Sequence, residues 1–514
     1  MRQIVLAALL ATGLGTGLSP VLGPVLGPAA ALAQAAESAP VELRVMSFNI
    51  WYGGVQVSQQ QVIDIIRASG ADIVGLQEPD GQTAAIAAAA GYPYVDLRRH
   101  IISRVPLFDS ALGERTETGQ APYSLAGLDS TAVHAWAMVA PGQVVALGNL
   151  HLTSSPYGPD LLAGGETIEA VLANEAETRL PEIDPFAAGL ESLVAAGVPV
   201  IVTGDFNTPS HLDWLAALRG MDVPWPVTLR MEAAGFTDTF RAAHPDPALR
   251  PGLTYTPGYP WPVTVAGEIH DRIDYIFAAN ATVRGAEVWG EPANPDVDRA
   301  FAPWPSDHRA VLADLTVTPV PAPALIAVEP RLVPDGGSYV VRGQLPGDAV
   351  WGVRVVPRGG DVAAPITSAE GLVATWNRAF RLSTLGMAPG PYDAVLIDEN
   401  GNEQTRTRFS VVARDGRPTL SVAEAIVAQG AGVTVRWSGA PGLRFDWIGV
   451  YAAGDPDVYN YLAFAYTGAI LDGEMTLTPD LYYEELAPGD YELRLMADDH
   501  YVALAATRFT VTAP

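Results

Sequence analysis

The 514-residue chain contains no cysteine, and all 30 of its basic residues are arginine. Without cysteine it cannot be stapled by disulfides, cannot form a thiolate zinc site and cannot carry a lipoprotein anchor. Against 30 arginines stand 57 Asp and Glu, a net charge of −27. Non-specific nucleic-acid binding rests largely on basic side chains displacing counterions, so this balance disfavours a protein that coats DNA. It does not exclude a nuclease, because the field in one cleft can differ from the total. No HExxH pair is present, which removes a common zinc-hydrolase pattern.

Long apolar runs are also scarce. One begins at the N-terminus, with Arg2 ahead of Ile4 to Leu14 and Ala31-Leu32-Ala33 as an A-x-A cleavage pattern. Residues 1–33 are expected to be an export signal, and their Gly and Pro content argues against a membrane-spanning helix. The mature protein is therefore expected to be secreted or periplasmic, with no transmembrane segment.

What the chain does contain is six polar clusters, each at the end of an apolar, strand-like run: Asn49 in VMSFNIW, Glu78 in DIVGLQEPD, His151 in GNLHL, Asp205 and Asn207 in VIVTGDFN, Asp274 in DRIDYIF, and Asp307 with His308 in PSDHRAV. On a strand, residues two apart share a face. Asp205 and Asn207 then point together while Phe206 turns to the core; Asn149 pairs with His151, and Arg272 with Asp274. The mostly apolar Pro199–Thr203 run suits a strand covered on both faces. Carboxylates, amides and two histidines form an oxygen-rich set of the kind that suits Mg²⁺ completed by substrate phosphate, with acid and base groups near neutral pH. Phosphate-ester hydrolysis needs this mixture.

In this order the motifs SFNIW, LQEP, NLHL, GDFN, RIDYIF and SDHRAV resemble the endonuclease/exonuclease/phosphatase, or DNase I-like, superfamily over residues 41–317. The resemblance implies a four-layer α/β sandwich, two packed sheets between outer helices. It implies Mg²⁺, with Mn²⁺ or Ca²⁺ as possible substitutes, held chiefly by Glu78 with Asn49 beside it and Asp307 on the metal or its waters. Asp205 would orient or deprotonate the attacking water, or act as a metal ligand, helped by Asn207, whose amide also contacts phosphate. His308, held by Asp274, would stabilise charge on the phosphate, and His151 would assist proton transfer to the leaving group.

Each residue has a plainer reading. Asn207 before Thr208-Pro209 has the pattern of a turn. His100, His134, His244 and His500 read as structural, and His211 and His270 as near the motifs without direct chemistry. Arg98, Arg99 and Arg104 form the one dense basic cluster of this half and are candidate phosphate contacts, equally readable as surface ion pairs. Tyr255 is a candidate for the substrate pocket, as are Trp51 and Trp304, although aromatic residues near strands are usually core. Trp225 and Trp261, each flanked by prolines, are the only candidates for an apolar membrane-contacting hairpin.

A helix is expected from Ser58, whose spacing to Gln61 resembles a capping box, to Gly70. Further helices are expected over residues 166–179 and 185–196. At residues 318–324 a proline-rich stretch reads as a stiff linker. Beyond it, short alternating runs and an internal repeat predict two related, immunoglobulin-like β-sandwiches, 325–413 and 417–514, with a boundary near Gly416. Ala388-Pro-Gly-Pro-Tyr392 recurs as Ala487-Pro-Gly-Asp-Tyr491, Arg408-Phe409 as Arg508-Phe509, and Trp351-Gly-Val in Trp447-Ile-Gly-Val. These tails lack a catalytic set. They are expected to contact a surface, a glycan, another chain or the catalytic domain, with the tyrosines of 459–466 as an exposed contact and Trp447 and Tyr451 as core.

Three functions are compatible with this reading. The favoured one is a secreted Mg²⁺-dependent phosphoesterase acting on a small or lipid-derived mono- or diester. The second is an extracellular nuclease, and the third a catalytically silent binding protein that kept the scaffold.

Overall fold

The computed structural model describes residues 38–513 apart from 98, 110–132, 257–268, 293, 347–348, 374–378, 415, 441–445, 468–469, 482–484, 498–500 and 502. The expected export signal, Arg98, Trp261 and His500 lie outside the described residues.

Six strands carry the site: β1 (Val41–Asn49), β2 (Ile73–Gln77), β3 (Gln143–His151), β4 (Val200–Asp205), β5 (Asp274–Ala279) and β6 (Ala310–Val317). In one seven-stranded sheet β6, β1 and β2 are central neighbours; in a second, β3, β4 and β5 are. Alternation then sorts the side chains. Val45 and Ile73 meet Val145, Leu147, Ile201 and Ile276 between the sheets, while Met46, Phe48 and Val74 turn outward onto Val62, Ile65 and Ile66 of helix α1 (Gln59–Ser69). On the far side Val200 and Val202 pack with Phe186 and Leu190. The result is the four-layer α/β sandwich of DNase I-like proteins.

Helix α1 starts and stops as its residues dictate. Ser58 Oγ accepts the Gln61 N–H at 3.2 Å, and Gly70 takes the left-handed φ of 64° that ends the helix. The next two helices are α2 (Ile168–Glu177), capped by Thr167, and α3 (Leu180–Ala195). The latter begins earlier than expected and contains Pro185. Trp225 is fully buried and packs edge-on to Trp214 at 5.3 Å, so it is core rather than a membrane contact.

Near the site the two sheets approach closely because one residue lacks a side chain. A Cβ on Gly75 of β2 would lie 2.0 Å from Thr203 Oγ1 and 2.5 Å from Asn149 Oδ1. Those two groups, with Gln77, form a buried hydrogen-bonded set between the sheets: Thr203 Oγ1 and Gln77 Nε2 each donate to Asn149 Oδ1 at 2.7 Å. Gly75→Ala is expected to cost about 1–3 kcal/mol by forcing the sheets apart. It should appear as a lower denaturant midpoint with an unchanged m-value, and an unaltered midpoint would contradict this packing.

The stretch read as a stiff linker is instead held in place. Val320–Pro321 pair with Val144 and Gln143 of β3, and Ala322, Leu325 and Ala327 are buried in the core behind the second sheet. Apolar side chains between the prolines override the spacer character.

The remainder is all-β. Two successive units each comprise a three-stranded and a five-stranded sheet in matching order. The repeated tyrosines explain the repeated sequence, since Tyr392 Oη donates to the Ala388 carbonyl and Tyr491 Oη to that of Ala487, both at 2.7 Å. The tryptophans do not correspond as the sequence suggested. In the first unit β7 (Val350–Pro357) pairs with β8 (Gly390–Asp398) so that Pro357 faces Tyr392; in the second β9 (Trp447–Ala452) pairs with β10 (Gly489–Met496) so that Ala452 faces Tyr491. Counting back, Trp447 stands where the first unit has Gly352. One residue reverses the face: Trp351 lies in the core between its sheets, whereas Trp447 joins a separate aromatic layer.

Candidate active site

Register places three of the expected groups side by side. His151 ends β3 opposite Asp205 at the end of β4, to which β3 runs parallel, and Asp274 begins antiparallel β5 opposite Asp205. In the facing sheet Asn49 ends β1 beside Gln77, and Glu78 follows directly. His308 lies two residues before β6, which runs antiparallel to β1 with Val311 opposite Ser47. Ser306 fixes that segment: its Oγ donates to the Asn49 carbonyl at 2.7 Å and accepts the His308 N–H at 3.1 Å.

At the centre is Asp205, 1% exposed. Its Oδ1 accepts the Asn207 N–H at 2.9 Å, and its Oδ2 accepts from Asn49 Nδ2 at 3.0 Å. The same Oδ2 lies 3.5 Å from His151 Nε2 and 3.6 Å from His308 Nε2. His308 is held from its other side by Asp274, with Nδ1 2.9 Å from Oδ2, and the Tyr255 ring leans over it at 5.0 Å between centroids. Burial alone would lower the pKa of His308. The carboxylates of Asp274 and Asp205 outweigh burial and raise it well above the ordinary histidine value. Burial also pushes Asp274 upward, but with two carboxylates flanking one imidazole the proton resides on His308.

A second carboxylate group adjoins this one. Glu78 adopts a positive φ of 52°, accepting from Asn49 Nδ2 at 3.1 Å and from the Tyr52 N–H at 3.2 Å. Burial, opposed by His308 and reinforced by Glu78, pushes the Asp307 carboxyl up to about 6. A divalent cation at Glu78 and Asp307 would relieve that charge crowding, so the donor set fits a hard metal ion. Ligand atoms of Asp205, Asp274 and His308 also lie within 4.8 Å of one another. That trio is a second candidate metal position.

Several expectations change. Asn49 bridges two carboxylates: its Oδ1 accepts the Trp51 N–H at 3.0 Å, and its amide N–H groups donate to Glu78 and Asp205. Arg99 is buried in an ion pair with Asp96 at 2.5 Å. Arg104 stacks on Tyr92 at 4.8 Å and donates to the Ala71 carbonyl, beyond the end of β2 opposite to Glu78. Neither of these arginines reaches the cluster. Arg272 bonds Asp213 and Asp238, both at 2.7 Å, and is structural. His211 is occupied by Thr228 and Glu232, His270 meets the Thr256 carbonyl, His244 meets that of Ala286, and His134 is buried against Trp136.

Other groups around the site have no local sequence signal. Tyr52 supplies a backbone N–H to Glu78. Tyr157 donates to Asp271 Oδ2 at 3.0 Å and packs edge-on to Tyr255 at 6.4 Å. Thr254 Oγ1 accepts the Asp274 N–H at 3.1 Å. Each contact joins segments distant in sequence, so only the assembled fold reveals it.

Over 297 residues the chain is 29% identical to an uncharacterized protein of Caenorhabditis elegans, covering 53% of this chain and 91% of the relative. Among solved structures, an endonuclease/exonuclease/phosphatase from Beutenbergia cavernae is 18% identical with a TM-score of 0.32, covering 72% of this chain and 99% of that one. TDP2 from C. elegans is 18% identical with a TM-score of 0.31, covering 53% and 75%. The profile of the Endonuclease/Exonuclease/phosphatase family matches residues 46–308, from just before Asn49 to His308 itself, and the chain belongs to that family.

Proposed function

We propose that the protein is an exported, Mg²⁺-dependent hydrolase of phosphate mono- or diesters. One observation carries this reading: a buried carboxylate, Asp205, receives hydrogen bonds from Asn49 and Asn207 and faces two histidines, one clamped by a second carboxylate. Export is supported by the pattern of Arg2, the apolar run and Ala31-Leu32-Ala33. Among the described residues no helix is long and apolar enough to cross a membrane.

Glu78 and Asp307 would hold the metal, which when bound would act as a Lewis acid on phosphoryl oxygen. Asp205 orients a water and takes its proton on Oδ2, the oxygen that faces both histidines. The amide nitrogen of Asn207 carries two hydrogens; one is given to the Leu152 carbonyl at 2.9 Å, and the other is available to phosphate. His308, kept cationic by Asp274, donates from Nε2 to a phosphoryl oxygen as charge accumulates there. His151, 22% exposed in its side chain, lies at the solvent side and passes a proton to the leaving oxygen.

The test is turnover of a panel by the mature protein: plasmid DNA, RNA, a chromogenic diester and monoester, sphingomyelin and inositol phosphates, with Mg²⁺, Mn²⁺, Ca²⁺ or chelator. The expected outcome is hydrolysis of a small ester that chelator stops, Mg²⁺ restores and added salt barely affects. Steep loss with salt on DNA would select the nuclease reading. Failure on every substrate and metal would favour the silent scaffold.

A further inference from the structure

Among the described residues, the second β-sandwich meets the site through Tyr459. The ring of Tyr459 lies 5.0 Å from that of Tyr52, whose backbone N–H holds Glu78. Tyr501 backs it at 4.5 Å. Tyr459 nonetheless remains 43% exposed, so part of the residue is still accessible beside Tyr52. Asp80 and Glu78 act electrostatically on Tyr459, and both act on Tyr52. The wall is thus aromatic and lies close to carboxylates.

This placement is built into the second unit. Asp455 Oδ1 accepts the Asp457 N–H and Asp457 Oδ1 accepts the Tyr459 N–H, both at 2.9 Å, while Tyr451 Oη donates to the Val458 carbonyl at 2.9 Å. Aligning the units on Tyr392 and Tyr491 shows what changed between them. Gly352, Arg354 and Val356 of the first unit become Trp447, Gly449 and Tyr451 in the second, and the two large rings crowd over the glycine, where a Cβ would lie 2.7 and 2.8 Å from them. The corresponding face of the first unit carries Val356, Val395 and Ile397. Among the described residues, the unit that meets the site carries an aromatic layer on this face and its sibling does not.

Resting on the phosphoesterase reading, we infer that Tyr459, with Tyr52, forms a subsite for a flat, uncharged ring attached to the phosphate of the substrate. Aromatic faces stack on planar groups. The Asp80 carboxylate, which acts on Tyr459, disfavours a second anionic group there, which argues for a small ester with one neutral planar substituent. Tyr459 contacts substrate in this scheme and takes no part in proton transfer.

The test is calorimetric binding of phenylphosphonate and methylphosphonate, which are not hydrolysed, to the full chain with Mg²⁺. Wild type is expected to favour phenylphosphonate by roughly 10-fold, within the range of single-ring stacking. Tyr459→Phe should keep that preference and Tyr459→Ala should lose it, with methylphosphonate affinity changed little. A preference that survives Tyr459→Ala overturns the subsite. So does equal weakening of both ligands, which would make Tyr459 a prop for Tyr52 and Glu78. If wild type binds neither phosphonate, the phosphoesterase reading itself fails, an outcome distinct from equal affinity for both.

Discussion

Asp205→Asn is expected to lower kcat on any ester the protein hydrolyses by at least about 10²- to 10³-fold, while the melting transition stays within a few degrees of wild type. The substitution nearly preserves shape, and an amide oxygen can still accept the Asn207 N–H that now meets Oδ1 at 2.9 Å. What it removes is the negative charge on Oδ2, the atom that faces Asn49, His151 and His308 together. An amide there cannot take a proton from water. His308→Ala should cause a loss of similar size by removing the cationic donor, and the double variant should fall little further, because groups acting on one transition state are not additive. Stopped or steady-state kinetics on the best panel substrate, with thermal unfolding as the control for fold, decides the matter. A folded Asp205→Asn protein with more than about a tenth of wild-type kcat is incompatible with the effect expected of such a group. Full additivity of the two losses would mean that Asp205 and His308 serve separate steps.

The catalytic half was largely legible because its sequence obeys one rule repeatedly: an apolar run, period-two alternation, then a polar residue at a strand end. That rule selects Glu78, His151 and Asp205 without knowing which strands are neighbours, whereas Asp274 opens its strand rather than closing it. It cannot supply register, and register is what sets His151, Asp205 and Asp274 abreast. Nor can it say which end of a neighbouring strand a residue occupies. Arg99 and Arg104 are close to each other in sequence, yet the strand between them, Ile101–Ser103, runs antiparallel to β2 and carries Arg104 to the end of β2 away from Glu78. Nor can the rule supply the orientation of the Asn49 amide, which is fixed by the Trp51 N–H in the following turn. In the tail, similar WG and WIG strings hid an offset of one residue, and on a strand that offset decides whether a tryptophan lies between sheets or on the outer face. The proline-rich stretch misled because composition describes a free chain, whereas Ala322 and Leu325 have a core to enter.

The largest stability effect is expected away from the chemistry, at Arg179→Met. The Arg179 and Glu175 side chains are completely buried, joined by an Nη1–Oε1 contact of 2.7 Å. Arg179 Nη2 also donates to the carbonyls of Ser154 and Pro156 at 2.9 Å, so the guanidinium ties the α2–α3 junction to the loop that leaves His151. Glu182 holds the same loop through the Thr153 N–H and hydroxyl. Removing one partner of a buried pair leaves an uncompensated charge and typically costs about 3–5 kcal/mol, to which the two abandoned carbonyls add. Removing both, in Glu175→Leu with Arg179→Met, should recover part of the loss, because an apolar pair tolerates burial. The single variant also has a pH signature. Burial already raises the Glu175 pKa, with Arg179 as the largest opposing influence; without Arg179 it must rise further. Between the unfolded and folded pKa values the native state then binds the extra proton, so stability falls as pH increases. Urea titrations should find the Arg179→Met deficit smaller near the unfolded Glu pKa than at pH 8, and the double variant should lack that trend. A deficit that is instead constant with pH would show that the loss comes from the Ser154 and Pro156 carbonyls, not from the stranded carboxylate.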